Sequence, residues 1–232
     1  MFNKKELVTQ RQNLLNKLID YFSSEREVLG LFLGGSLASG NTDAFSDIDL
    51  RVLVDDEVDK NIYLINFIKR IDGIVFIETQ SENYVVLHFI NFIKLDLFIY
   101  FKKDLIATTW TKEIKIIKDN GFLKELKEDS KKEKFQLSQQ EFDKYLNKFY
   151  AWYYELYRRQ QRGENNYVEF CTLMLKNILS AFWYFEKGFY PNSIEDWSKI
   201  EGKRSKLTDE EQTFLIENTP VKVISKFMQE IP

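Results

Sequence analysis

Leu33-Gly34-Gly35-Ser36-Leu37-Ala38-Ser39-Gly40-Asn41-Thr42-Asp43-Ala44-Phe45-Ser46-Asp47-Ile48-Asp49-Leu50 is the stretch on which the reading of this chain turns. It joins a Gly-Gly-Ser turn, a polar loop and an Asp-Ile-Asp pair at the head of an apolar run. Side chains along a strand alternate between two faces. Over Asp47 to Val54, Ile48, Leu50, Val52 and Val54 therefore share an apolar face suited to a core, and Asp47, Asp49 and Arg51 share the other. The two carboxylates stand about 6–7 Å apart at Cα by strand rise. At an effective dielectric of ~20, like charges ~6 Å apart repel by roughly 3 kcal/mol. Aspartate is also a poor strand former. On a solvated strand the pair can splay into water. In a cleft it needs a cation, and ligands that are all oxygen suit a hard ion such as Mg2+.

The Gly-Gly-Ser turn supplies a second requirement. Glycine allows positive φ and close backbone approach. A helix starting after Ser36 would present free N–H groups that favour phosphate, and the Ser36 hydroxyl adds a donor. An anion cradle next to a metal clamp is what a nucleoside triphosphate with Mg2+ requires. A third acid, Asp96, lies in Ile93-Lys94-Leu95-Asp96-Leu97-Phe98-Ile99-Tyr100, where Lys94, Asp96, Phe98 and Tyr100 share one face. If that strand neighbours the Asp47 strand, Asp96 completes the metal site or takes a proton from an incoming hydroxyl.

Working outward, the spacing of Leu7, Leu14, Leu15, Leu18, Ile19 and Phe22 predicts an opening helix. Val28–Leu33 reads as a buried strand stopped by Gly34-Gly35, and Asn61–Ile71 reads as a helix. Ile74–Glu78, Tyr84–Ile90 and Ile93–Phe101 read as three further strands. The mixed-charge run Lys124–Lys134 is either a linker or the solvated face of a helix. Beyond Phe135 the strand signal fades. Ser138–Gln161, Tyr167–Phe185 and Asp209–Glu217 look helical, and Ser138 with Glu141 fits a capping box.

The chain has 232 residues, 44% of them hydrophobic and 16% aromatic, with 20 Phe, 12 Tyr, 3 Pro and 9 Gly. Such a chain can bury a core, and low-complexity disorder is excluded. The formal net charge is -3. No basic excess points to non-specific nucleic-acid binding, so no nucleic acid is expected as partner. The single cysteine, Cys171, precludes a disulfide framework within the chain. Met1 to Leu18 has no signal-peptide apolar core, and no run is long enough to span a bilayer. The expected setting is cytoplasmic, without a membrane partner.

Gly34-Gly35-Ser36, ten residues and then Asp47-Ile48-Asp49, with Asp96 on a later apolar strand, resembles the signature of the DNA polymerase beta-like nucleotidyltransferase superfamily. The helical second half resembles, in general character, the antibiotic nucleotidyltransferases that modify aminoglycosides or lincosamides. The resemblance implies an α+β fold: a mixed sheet with flanking helices as the catalytic domain, residues 1–125, then an all-helical domain, residues 135–232, on the acceptor side. It implies transfer of a nucleoside monophosphate from a triphosphate such as ATP to a hydroxyl of a small molecule, with release of pyrophosphate and Mg2+, two ions, as cofactor. Asp47, Asp49 and Asp96 are the expected metal and catalytic residues, with Asp96 activating the acceptor. Gly35, Ser36, Asp47 and Asp49 are the expected nucleotide-binding residues. Many members carry Arg where this chain has Ser39, which leaves Arg51 or a lysine of the helical half to meet the triphosphate. Two alternatives follow: a protein adenylyltransferase of the antitoxin type, and a nucleotide-binding module without catalysis.

Other features read more plainly. His88, in Val85-Val86-Leu87-His88-Phe89-Ile90, is expected to be structural, and Cys171 a small core residue. Phe142, Leu146, Phe149, Tyr153 and Leu156 make the expected core stripe of the first helix of the second half. Trp152, Tyr154 and Tyr157 fall partly outside that stripe, with core or interdomain packing the simplest reading.

Overall fold

Helix α1 (Lys4–Ser24) starts where the Asn3 side chain accepts a hydrogen bond from the Lys5 amide. Its buried positions, Leu7, Arg11, Leu15, Leu18 and Phe22, recur at intervals of three and four, so one stripe faces inward. Strand β1 (Val28–Leu33) follows, then the single turn of helix α2 (Gly35–Ser39), closed by Gly40 in the left-handed region. Strand β2 (Ile48–Val54) leads to helix α3 (Lys60–Arg70), capped by Asp59. Strands β3 (Ile74–Gln80), β4 (Tyr84–Phe89), β5 (Lys94–Tyr100) and β6 (Lys115–Lys118) complete the sheet. Helix α4 (Phe122–Ser130) comes after them. The computed structural model describes residues 3–230, so the expected domain ends at residues 1 and 232 lie outside the described residues.

The six strands run in the order β3-β4-β5-β2-β1-β6. Neighbours are antiparallel except β2 and β5, which run parallel. One face packs against α1 and α3 through Leu18, Phe22, Leu64 and Phe67 over Ile48, Leu50, Leu95 and Leu97. Each such side chain, fully buried, contributes about 1.5–3 kcal/mol. At the β1 end of the other face α4 lies down, with Leu123 and Leu126 against Phe32 and Leu53. Gly30 makes that approach possible, because a Cβ there would stand 2.7 Å from Leu123 Cδ1. The middle of this second face carries the polar residues of β2 and β5.

Two compact units divide the chain, one ending at Lys134 and the other beginning at Phe135. In the second, helix α5 (Gln139–Gln161) starts at the Ser138–Glu141 capping box. The chain then turns through Gly163 into α6 (Asn165–Glu186), whose inner stretch from Cys171 to Phe185 is almost continuously buried. Helices α7 (Asp209–Glu217) and α8 (Pro220–Glu230) pack on it through Leu215, Val223 and Phe227. Among the described residues, no helix is long and apolar enough to cross a membrane.

The α+β class expected from the sequence is the one observed. Four details differ. Of the Lys124–Lys134 run, the part to Ser130 is the exposed face of a helix, with Leu126 and Ser130 turned inward, and the helix ends there rather than running to Lys134. Strand β6 has no separate signal in the sequence, being four residues long with two lysines. Strand β2 begins at Ile48, so Asp47 stands just before it. On α5, Phe149 and Leu156 are buried but Tyr153, Tyr154 and Tyr157 are exposed, so Tyr153 is not a core residue and neither Tyr154 nor Tyr157 packs in a core.

Candidate active site

The register of the parallel pair places Asp49 directly beside Asp96, with Ile48 beside Leu95 and Arg51 beside Phe98. Adjacent strands lie about 4.8 Å apart, so paired residues share a face. Asp49, Arg51, Asp96 and Phe98 therefore stand together on the second face of the sheet, between the turn after β1 and strand β4. Asp47 enters from the end of the loop one position earlier, level with Lys94.

Each carboxylate meets a cation of the chain. Lys94 Nζ lies 3.1 Å from Asp47 Oδ2 and 3.3 Å from Asp96 Oδ2. Arg51 Nη2 lies 3.5 Å from Asp49 Oδ1. Arg51 is itself fixed: Nη1 donates to the Asp96 carbonyl at 3.1 Å, and the guanidinium stacks 4.1 Å from the Phe98 ring centroid. Tyr84 stacks on the same Phe98 ring, and Trp110 lies beyond the guanidinium at 5.9 Å.

Burial pushes the Asp96 carboxyl above the usual carboxylate range. Lys94 opposes that shift, and the nearby charges of Asp49 and Asp47 add to it. Burial alone would lower the Lys94 ammonium, but Asp96 and Asp47 outweigh it and leave it raised. Asp96 Oδ1 is buried and meets no hydrogen-bond donor among the described residues. A buried, partnerless carboxylate oxygen beside two more carboxylates is a donor set that fits a hard divalent cation. Among the described residues no three acids, histidines or cysteines stand close enough together to hold a metal as they are. Two of the three acids are turned to Lys94 and the third to Arg51.

The turn after β1 comes close to these acids. The Gly34 amide donates to the Asp49 carbonyl at 2.9 Å. Gly35, with φ at +58°, passes so near Asp49 that a side chain would collide with it. The helix expected after Ser36 starts one residue before it, at Gly35, and is five residues long. Ser36 lies in its first turn and is buried. Gly35, Ser36, Asp47, Asp49 and Asp96 are thus brought into one region of the first unit.

Sequence reasoning assigned no role to Lys94, Phe98, Trp110 or Arg11. Arg11 is 7% exposed. It reaches from α1 to donate to the carbonyls of Asp43 at 2.7 Å and Ser46 at 2.9 Å, anchoring the loop that delivers Asp47. Its signal was an arginine at a core position of the α1 stripe. His88 is stacked on Phe76 and bonded to Glu78 at 2.6 Å, and Cys171 is buried among apolar side chains. A groove of about 360 Å³ between α1 and α3, lined in part by Leu14, Lys17, Tyr21, Phe67, Arg70 and Asp72, lies on the opposite face of the sheet and contains none of Asp47, Asp49 and Asp96.

Residues 16–95 match the family model described as "Polymerase beta, Nucleotidyltransferase". Three solved structures are similar. One is a nucleotidyltransferase-like protein from Exiguobacterium sibiricum 255-15, at 15% identity and a TM-score of 0.42, covering 95% of this chain and 72% of that one. Another is the spectinomycin adenyltransferase AAD(9) from Enterococcus faecialis, solved with ATP and spectinomycin. It has 13% identity and a TM-score of 0.40, with coverage of 96% of this chain and 98% of that one. The third is the GLD-2/RNP-8 complex, at 13% identity and a TM-score of 0.30, covering 96% of this chain and 68% of that chain. No curated protein matches the chain.

Proposed function

We propose that this protein, whose residues 16–95 match the polymerase beta nucleotidyltransferase model, transfers a nucleoside monophosphate from a nucleoside triphosphate to a hydroxyl of a small molecule. One observation carries the reading: Asp49 and Asp96 are cross-strand neighbours beside Gly35, with Asp47 one position away. Three carboxylates on one half-buried face, one with an orphaned oxygen, have no structural purpose that apolar residues would not serve better.

Asp47, Asp49 and Asp96 would hold Mg2+, which when bound neutralises phosphate charge and acidifies a coordinated hydroxyl. The chain's residues do the rest. Gly35 leaves room for phosphate next to Asp49, with Ser36 in the same turn. Asp96, its carboxyl raised by burial, is the base that takes the proton of the acceptor hydroxyl. The acceptor oxygen forms a bond to the α-phosphorus, and the bond from that phosphorus to the bridging oxygen breaks. Pyrophosphate leaves with that electron pair. Arg51, held by Phe98 and by the Asp96 carbonyl, keeps Asp49 in place and supplies positive charge at the site.

The test is pyrophosphate release from each of the four labelled triphosphates with Mg2+ and an acceptor panel that begins with aminoglycosides, spectinomycin and lincosamides. Asp49→Asn should reduce turnover by about three orders of magnitude or more while the thermal midpoint stays within a few degrees. Full activity in that variant would refute the mechanism. Label appearing on a protein, with none on any small molecule, would move the acceptor to a polypeptide. Tight triphosphate binding with no transfer at all would leave a binding module.

A further inference from the structure

We infer that Lys94 is the internal rival of the divalent ion: its ammonium holds Asp47 and Asp96 together until a metal displaces it. The inference rests on the nucleotidyltransferase reading, because it concerns the same carboxylates. The strand register sets it up. Asp49 is paired with Asp96, Arg51 with Phe98 and Ile48 with Leu95, so Lys94 falls level with Asp47. Along these two strands the acids are bracketed by one cation on each side. Lys94 bridges Asp47 and Asp96 at 3.1 and 3.3 Å, and Arg51 meets Asp49 at 3.5 Å.

The two cations are not equivalent. Arg51 is locked by hydrogen bonds to the carbonyls of Leu50 and Asp96 and by its stack on Phe98. Lys94 has only the two carboxylates as close partners among the described residues, and it is 29% exposed on a flexible four-carbon stem. Lys94 is therefore the group that can move. A divalent ion held by the same oxygens would not share them with an ammonium, since the two cations repel and the lone pairs would already be engaged. Lys94 touches only Oδ2 of each acid, and the buried Asp96 Oδ1 meets no donor among the described residues. Three carboxylates against Arg51 and Lys94 leave a single net negative charge, and this explains how the acids tolerate one another on a half-buried face without metal.

The test is Mn2+ binding to the full chain without nucleotide, followed by titration calorimetry and by the loss of the free-ion electron paramagnetic resonance signal. Lys94→Met should bind Mn2+ about ten-fold more tightly than the wild type, or better, with a larger Mn2+-induced rise in thermal midpoint. Lys94→Arg keeps the charge and should stay near the wild type, and Lys94→Gln repeats the test if the methionine variant does not fold. Asp49→Asn should weaken binding. Lys94→Met and Lys94→Gln binding no more tightly than the wild type, while Asp49→Asn still weakens binding, would overturn the role of Lys94 and leave the metal site standing. No Mn2+ binding at millimolar concentration by the wild type or by either neutral variant would overturn the metal reading itself.

Discussion

A methyl carbon on Gly35 would stand 2.0 Å from Oδ2 of Asp49. Backbone and carboxylate are in contact with nothing between them, and the glycine also adopts φ +58°, which L side chains rarely take. Gly35→Ala should therefore do two things. Strain at positive φ should lower stability by about 1 kcal/mol. Displacement of Asp49 should lower kcat/KM by about 100-fold, the effect of moving a reacting group by ~1 Å. Gly40→Ala is the control: φ is +79° there too, but nothing lies within 4 Å of its Cβ position. Urea unfolding and kinetics on both variants should give similar destabilisation and a large difference in activity. Equal activities would show that the contact with Asp49 is unimportant.

Arg11 lies on α1, outside the acid cluster, yet its guanidinium ties down the loop before Asp47 through two main-chain carbonyls. Hydrogen bonds from a buried charged donor are worth about 1.5–3 kcal/mol. Arg11→Met should cost roughly 2 kcal/mol in unfolding free energy and reduce kcat at temperatures where the variant is fully folded. Arg11→Lys should recover part of both. Activity that fell only in step with the unfolded fraction would limit Arg11 to a structural role.

Lys60 pairs with Asp104, which also accepts from the Phe101 amide at 2.9 Å. Burial alone would raise the Asp104 carboxyl, but the Lys60 ammonium and the Phe101 amide outweigh it and hold the group below its ordinary 3.8. A folded-state value below the unfolded one adds stability that is present above the unfolded value and is lost as pH falls through the folded value. Both side chains keep some contact with solvent, so the pair is worth about 0.5 kcal/mol. Thermal midpoints of the wild type and Asp104→Asn should differ slightly at pH 7 and converge below pH 3.8. A difference that grew on acidification would reverse the assigned sign.

How far the molecule can be read from its residues varies with the kind of signal. Helices α1, α3, α5 and α6 were legible because apolar spacing is local, and Asp59 and Ser138 mark two of their starts. The face shared by Asp49 and Arg51 followed from strand alternation. That Asp96 would stand beside Asp49 did not follow, because strand order is a non-local property and β3 and β4 intervene in sequence. The lysine bridge was hidden for the same reason: Lys94 and Asp47 are 47 positions apart and become neighbours only through the β2–β5 register. Strand β6 escaped because four residues with two lysines carry too little pattern, and its pairing with Leu31, Phe32 and Leu33 comes from tertiary structure. Tyr153, Tyr154 and Tyr157 misled in the other direction, since aromatic character does not say which side of a helix faces water.

Of the sheet's neighbouring strands, only β2 and β5 run in the same direction. A same-direction pair cannot close through a hairpin, so the intervening chain, α3, β3 and β4, must be traversed first. Asp49 and Asp96 therefore come together only after β5 has followed α3, β3 and β4. A nascent chain that has emerged only as far as β4 carries Asp47 and Asp49 but has no partner strand to seat them. The cluster stays incomplete until β5 has emerged and paired with β2, because Asp96 and the lysine that bridges it to Asp47 arrive together on that one strand.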